Sequence, residues 1–507
     1  MTEHRGTEGR PRERGLPRGP QALPREAVAA DQRKRLFAAM IDAVDERGFL
    51  ACTISDVVGR AHVSRRTFYE HFASKEDCLL ATYDDLISRM LSNVEGAERR
   101  GEHADALSRL QAVIGALFDS AIAMPAAARL VCIELAAAGA PGIERWASDG
   151  SRLAQQVTRI LTDGAASEPV PEPVARAIVG AVRNILYSRV RRKRTSRALK
   201  GELTRVLPEL MGWISSYLPT PTGMSSTVPG AAEGAAPGAT RSSVRGAAAD
   251  AARGPVPGAA EGASRGEVQR LMSGRESRSL RGGRAPGTLC LAPSWSERRL
   301  PSGEHSLPRG FITHNQRERI FDAIAKRTAA SGYPALGLED IASEASISLQ
   351  TFYEHFESKE EAFLATYEVG HAKAVSAVKG SLDLRLDWAE NVKLGVRGLL
   401  EFLASEPAYA HLACVDMLIA YPHFASRLDE ANYSYAELID FRLDDAAPSR
   451  MPSSVVGEAI VGGVFELLHD CILHNNTSSL PALCDHISYI VLAPLIGAEQ
   501  AWAAVQA

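Results

Sequence analysis

The chain has 507 residues, 57 Lys+Arg against 61 Asp+Glu, a formal net charge of −4 and 45% apolar residues. That length suits two to four domains with sizeable cores, and the sequence holds no run of about 18 apolar residues to suggest a membrane span. The seven cysteines never form a Cys-x-x-Cys pair, so neither a disulfide framework nor a zinc site is expected, and the expected setting is a reducing cytoplasm.

Residues 1–30 are rich in Arg, Gly and Pro and lack the apolar segment of a secretory signal, so they read as a disordered tail. Arginine outnumbers lysine 48 to 9. With abundant Ala, Gly and Pro, this matches the codon usage of a GC-rich genome, and arginine abundance alone carries no argument. Structure begins at Asp31, where Leu36, Phe37, Met40, Ile41 and Val44 fall at helical spacing up to Gly48. Thr53 suits the N-cap of a short second helix with Ile54, Val57, Val58 and Ala61. Ser64 suits the cap of a third helix from Arg65 to Phe72. A fourth helix follows Ser74. Two short helices joined by about three residues behind a supporting helix spell a helix-turn-helix.

The pattern then returns. Thr67-Phe68-Tyr69-Glu70-His71-Phe72 and Ser74-Lys75-Glu76 recur as Thr351-Phe352-Tyr353-Glu354-His355-Phe356 and Ser358-Lys359-Glu360, at an offset of 284 residues. Residues 31–83 share 23 of 53 positions with 315–367, and Ala177–Gly180 matches Ala459–Gly462 at an offset of 282. One unit is therefore written twice. The expected division is 31–78 and 79–218 for the first helix-turn-helix and its helical partner domain, and 311–362 and 363–498 for the second. Between them, 219–310 is a Gly/Ala/Pro/Arg-rich stretch expected to be a disordered linker.

The string Thr-Phe-Tyr-x-His-Phe-x-Ser-Lys-Glu, present twice in the same helical setting, resembles the signature of the TetR family of bacterial transcriptional regulators. The resemblance covers roughly 31–218 and 311–498 and is sharpest over the first 55 residues of each. It implies an all-α protein of two tandem TetR-like units. Each would hold an N-terminal DNA-binding helix-turn-helix and a C-terminal helical domain for effector binding and dimerisation. The partners so implied are double-stranded operator DNA and a small-molecule effector, with the copies paired inside one chain or between two chains.

Phe68 and Phe72 lie four residues apart and suit the inner face of the third helix. Arg65 and Arg66 stand at its N-terminal end, where arginine can pair bidentately with guanine. Thr67 can offer a methyl or a hydroxyl. The resemblance assigns phosphate contacts to Thr53, Tyr69, His71 and Lys75, with Ser64 beside them. In the second copy the set is Ser348, Leu349, Gln350, Thr351, Tyr353, His355 and Lys359. Leu349 suits a thymine methyl and Gln350 an adenine. Thr53 gives way to Gly337. Residues 31–75 carry 8 basic and 6 acidic side chains, whereas 315–359 carry 5 and 7. Because cations supply non-specific affinity for phosphate, the second head is expected to hold DNA more weakly. The alternative is a ligand-sensing or protein-interaction module whose second head has lost DNA binding.

Residues 105–165 and 387–445 are amphipathic and broken near Pro125, Pro141, Pro407 and Pro422. By resemblance they line an effector pocket. The candidates are Phe118, Glu134 and Trp146, then Tyr409, His411, Asp416, Met417 and Phe424. Val174–Val190 with Leu199–Leu218, and Ser454–His474 with Leu480–Ile496, match the family's dimer-forming helices. The run Arg189–Arg194 reads as a solvated helix end favoured by the helix dipole. No phosphate-binding loop, nucleophile elbow or His-Glu-x-x-His occurs, so no enzyme, cofactor or metal is expected.

Overall fold

The computed structural model of the protein describes residues 24–100, 105–162, 170–218, 309–383, 385–420 and 454–506. All of these fall in one unit, built from residues 1–231 and 298–507. Among the described residues every regular element is helical. The fold is all-α, as expected, and the two halves repeat it.

The first half runs α1 (Arg25–Arg47), α2 (Ile54–Ala61), α3 (Arg65–His71), α4 (Lys75–Arg100), α5 (Ala106–Ala123) and α6 (Pro125–Arg129). A π turn (Leu130–Glu134) and a 3₁₀ turn (Leu135–Ala138) lead to α7 (Ala140–Thr162), α8 (Glu172–Arg192) and α9 (Ser196–Ser215). The second half repeats the order as α10 (Arg309–Ser331), α11 (Leu338–Ala345), α12 (Leu349–His355), α13 (Lys359–Ser381), α14 (Trp388–Ser405) and α15 (Pro407–His411). Another π turn (Leu412–Asp416) follows; then come α16 (Ser454–Leu473), a 3₁₀ turn (Thr477–Leu483), α17 (Cys484–Ile496) and α18 (Ala498–Gln506).

Local chemistry sets these boundaries. Gly48 and Gly332, at φ +74° and +78°, end α1 and α10 in a conformation that side-chain-bearing residues resist. Thr53 and Asp56 form a reciprocal capping box at α2, and Asp387 and Glu390 form one at α14. Pro125 and Pro407 occupy the first position of α6 and α15, where a missing N–H costs nothing. Three boundaries differ from the sequence reading. Helix α1 begins at Arg25, inside the stretch expected to be a disordered tail, and α18 extends the second domain beyond residue 498. Helix α10 begins at Arg309, two residues inside the stretch expected to be linker; residues 219–308, Pro422 and Phe424 lie outside the described residues.

Each head closes on its own core; in the first, Leu36, Phe37, Met40, Val44, Val57, Phe68, Phe72 and Leu79 pack with Leu130 and Leu135 from the body. The bodies share a core. Leu110, Ile114, Ile178, Leu203 and Trp213 of the first half pack in one cluster with Val455, Ile460, Tyr489 and Leu492 of the second. Helices α8, α9, α16 and α17 meet there, and Tyr217 donates from its hydroxyl to the Ile490 carbonyl at 2.8 Å. At the centre α8 and α16 touch backbone to backbone. A Cβ on Gly180 would stand 2.4 Å from the Gly462 carbonyl oxygen, so only glycine permits this approach. Two segments, Ala106–Ala123 and Thr477–Ile496, are long and apolar enough to cross a membrane. Both pack apolar side chains into these cores.

Candidate nucleic-acid interface

Helix α3 has two sharply different faces. Phe68 is fully buried, with its ring 5.7 Å from that of Phe72. On the opposite side Arg65 and Arg66 are exposed, Arg66 leaning 3.1 Å from Glu70 with 89% of its side chain accessible. Tyr69 is 55% exposed and rests edge-on against Phe68, which steadies the ring from behind. Ser64 starts the helix by accepting from the Thr67 N–H at 3.0 Å. Its Oγ also lies 2.9 Å from Thr67 Oγ1, so both hydroxyls serve the cap.

Helix α12 reproduces this arrangement. Ser348 accepts from Thr351 N–H at 3.0 Å, Phe352 is buried, and Tyr353 is 55% exposed. The positions of Arg65 and Arg66 are taken by exposed Leu349 and Gln350. A leucine 39% exposed at the tip of a short helix gains nothing from water.

Other predicted contacts are engaged within the protein. His71 Nε2 lies 3.2 Å from Gln32 Oε1, and His355 Nε2 lies 3.0 Å from Gln316 Oε1. Each histidine thereby ties the third helix of its head to the first. Partial burial and Arg317 push the His355 imidazolium down. Lys75 donates to the carbonyls of Phe49 and Cys52, both at 2.9 Å, and its ammonium sits 4.2 Å from the Phe49 ring centre. It clamps the loop between α1 and α2, a role that spacing alone did not reveal. Lys359 lies over the Tyr333 ring at 4.9 Å. Thr53 donates from its hydroxyl to Asp56 at 2.7 Å, which holds that carboxyl below its usual range. Gly337 has no hydroxyl, and Asp340 turns to Arg327 at 2.9 Å instead.

The effector candidates separate in space. A cavity of about 660 Å³ opens beside α4, lined by Tyr83, Leu86, Leu117 and Trp146 and, from the second half, by Phe465 and His469. Of the first-copy candidates Trp146 lines it; Phe118 is packed in the shared core. Glu134 sits instead between head and body, where its carboxylate accepts the Phe49 N–H at 2.9 Å. Asp416 does the same for Tyr333 N–H at 3.3 Å and holds His411 at 2.7 Å. Burial raises the pKa of both acids, although the hydrogen bonds oppose it. Met417 is fully buried. Tyr409 packs on Gly370 so closely that a Cβ there would strike its ring. These two positions correspond to Ala127 and Leu86, which line the cavity in the first half. An aromatic ring therefore stands where the first copy has a methyl group.

His469 was not a candidate. Its ring lies edge-on to Trp146 at 4.8 Å, and its Nδ1 donates to the Cys414 carbonyl at 2.7 Å. A carbonyl only accepts, so Nδ1 carries the proton and Nε2 holds a lone pair. Among the described residues that nitrogen is buried without a hydrogen-bond partner. Burial pushes the imidazolium pKa down to about 4.

Comparison with known proteins agrees with the geometry. Residues 38–82 and 320–366 match the model of bacterial regulatory proteins, tetR family. The HTH-type transcriptional regulator BetI of Klebsiella pneumoniae (strain 342) is 31% identical over 97 residues, 19% of this chain and 50% of that protein. The HTH-type transcriptional activator FasR of Mycolicibacterium smegmatis is 32% identical over 111 residues, 22% of this chain and 48% of that protein. The chain thus spans about half the length of the curated relatives it matches. Among solved structures, the fatty acid degradation regulator FadR from Bacillus halodurans aligns with 36% of this chain and 97% of its own, at a TM-score of 0.34 and 19% identity. One match falls at the head of each half, on the residues that build the two helix-turn-helix units. The chain thus carries, twice and in tandem, a segment similar to bacterial regulatory proteins of the tetR family.

Proposed function

We propose that the protein is a sequence-specific DNA-binding regulator whose two heads read one operator as an intramolecular pseudo-dimer. The observation that carries this reading is the pair of identically capped helices, α3 and α12, each with its aromatic face inward and its polar face exposed. Arg65 and Arg66 read base edges; Tyr69 and Thr53 hold phosphates; His71 ties α3 to α1, and Lys75 clamps the loop between α1 and α2. On the second head Leu349 and Gln350 read, with Ser348, Thr351, Tyr353, His355 and Lys359 in the matching supporting places. The regulator is a repressor released by a small molecule. The cavity has the size of a typical ligand site. Helix α4 begins at Lys75, which clamps the head, and passes the cavity at Leu86, so occupation there is coupled to the head's position. The mostly apolar lining of the cavity suits a largely apolar ligand.

Footprinting on the DNA upstream of the protein's own coding region tests the reading. Replacing Arg65 and Arg66 by Ala should weaken binding by about 1–3 kcal/mol per base contact, roughly 5- to 150-fold each. Replacing Leu349 and Gln350 should cost less. No protected site at low salt, or a larger loss from the second pair, overturns this account. Leu349, Gly337 and the acidic balance of the second head favour a second reading in which only the first head contacts DNA, and a half-length footprint marks that outcome.

A further inference from the structure

The faces that join α8 and α16 are equivalent in sequence and opposite in charge. At the offset of 282, Arg176 corresponds to Glu458, Arg183 to Phe465, Asn184 to Glu466, Ser188 to Asp470 and Arg189 to Cys471. The crossing is reciprocal. A Cβ on Gly180 would meet Glu466 Cβ at 2.5 Å, and one on Gly462 would meet Asn184 Cβ at 2.5 Å. Equivalent positions therefore face each other in both directions, as across a two-fold axis between identical subunits.

Three ion pairs span this crossing, with each base on α8 and each acid on α16. Arg176 Nη1 lies 2.6 Å from Asp470 Oδ1, Arg183 Nη1 lies 3.0 Å from Glu466 Oε1, and Arg189 Nη1 lies 2.7 Å from Glu458 Oε2. Arg176, Arg189 and Glu466 are buried. Ser188 and Asn184 complete the set, donating to the Glu458 carboxylate at 3.3 Å and its carbonyl at 2.8 Å.

Reciprocity shows what twin copies would do on this surface. If the first copy met its own twin, the place of Glu458 would hold Arg176, set against Arg189 on both sides of the axis. Arg183 would find Asn184 in place of an acid. If the second copy met its twin, Glu458 would face Asp470 twice, and Glu466 would face Phe465 with no cation nearby. Charges removed from water and left unpaired or beside like charges are strongly destabilising. Glu172 at 2.8 Å from Arg176 and Glu202 at 3.7 Å from Arg189 offset part of that charge within the first half, but only the mixed pairing gives each of the three arginines an acid across the crossing.

We propose that this division of charge makes the bundle face of the first copy a receptor for that of the second and excludes pairing of either copy with its own twin, so each DNA-reading unit holds one head of each kind. The proposal deepens the pseudo-dimer reading, but it does not require the two faces to belong to one chain.

The test is a charge-exchange cycle in the full-length chain, read by thermal unfolding. Arg176→Asp places like charges at the crossing and should lower the midpoint by about 5 °C, further than the neutral Arg176→Ala. Asp470→Arg alone should also lower it. Arg176→Asp with Asp470→Arg restores an opposite-charge pair and should recover at least half of the loss. If the double variant shows only the sum of the single losses, and Arg176→Asp is no worse than Arg176→Ala, the charge code is refuted. Light scattering on the wild type separates the two ideas. Recovery with a mass near the 54.4 kDa of one chain supports both. Recovery with twice that mass shows first copies meeting second copies across chains, which sinks the intramolecular reading and leaves the charge code standing.

Discussion

Glu134 and Asp416 show how far a single residue can be understood from its neighbours in sequence. Equivalent acids on otherwise apolar helices stand out, and that pattern drew attention to both. Their work lies at the seam between head and body, each accepting a backbone N–H just after the glycine that ends the first helix of its head. A helical wheel shows which side of a helix is apolar, but not which loop packs against it, so the acids read as pocket residues. Removing the acceptor should leave the Phe49 N–H unsatisfied. Glu134→Ala is expected to cost about 1–3 kcal/mol in urea denaturation, whereas Glu134→Gln, which keeps a carbonyl oxygen, should stay near wild type. Equal losses from the two substitutions would mean that the hydrogen bond contributes nothing. Lys75 teaches the same lesson. Its charge is legible as a phosphate partner, but two of its donors are spent on carbonyls of its own head.

At the scale of elements, the reading heads were the most legible part. The short helices are decided by caps and by aromatics four residues apart, all within about 25 residues, so local chemistry suffices. The run Arg189–Arg194 was less transparent. As a solvated helix end it is half right, because Arg189 is buried against Glu458 across the junction. The partner lies 269 residues away, beyond any local pattern. The small residues at 180 and 462 do point to close approach, and the crossing makes that demand quantitative. Gly180→Val should force α8 from α16 and cost about 1–3 kcal/mol. Gly115→Ala, where a Cβ meets nothing within 4 Å, should be neutral or slightly stabilising. Urea unfolding of both variants checks the contrast.

For the whole molecule, the junction between copies contains a group sensitive to acid. His469 sits between Trp146 and Phe465, near Arg183, Asp470 and His411, and burial holds its pKa at about 4. Its unfolded value is near 6.5. The folded state resists protonation, so this contribution is complete above about pH 6.5 and is lost as pH falls toward 4, of order 3 kcal/mol. Burial raises the carboxyls of Glu134, Asp416 and Glu466, and these act in the opposite sense as they take up protons. Comparing wild type with His469→Gln isolates the histidine: the variant should lose less stability between pH 7 and 4, and identical profiles would exclude the effect.

The sequence by itself determined the repeat, the all-helical class, the two heads and the inward and outward faces of their third helices. The repeat, the heads and the helix faces rest on periodicity, capping and repetition, which act over a few turns of chain; the all-helical class followed from the resemblance of the repeated string. Tertiary structure decided what the second half does for the first. It placed Phe465 and His469 in a cavity that the first half opens, set Tyr409 where the first copy leaves space, and matched three arginines to three acids. The shared cavity wall and the ion pairs depend on groups brought together from more than 260 residues apart, where chain order carries no record of contact.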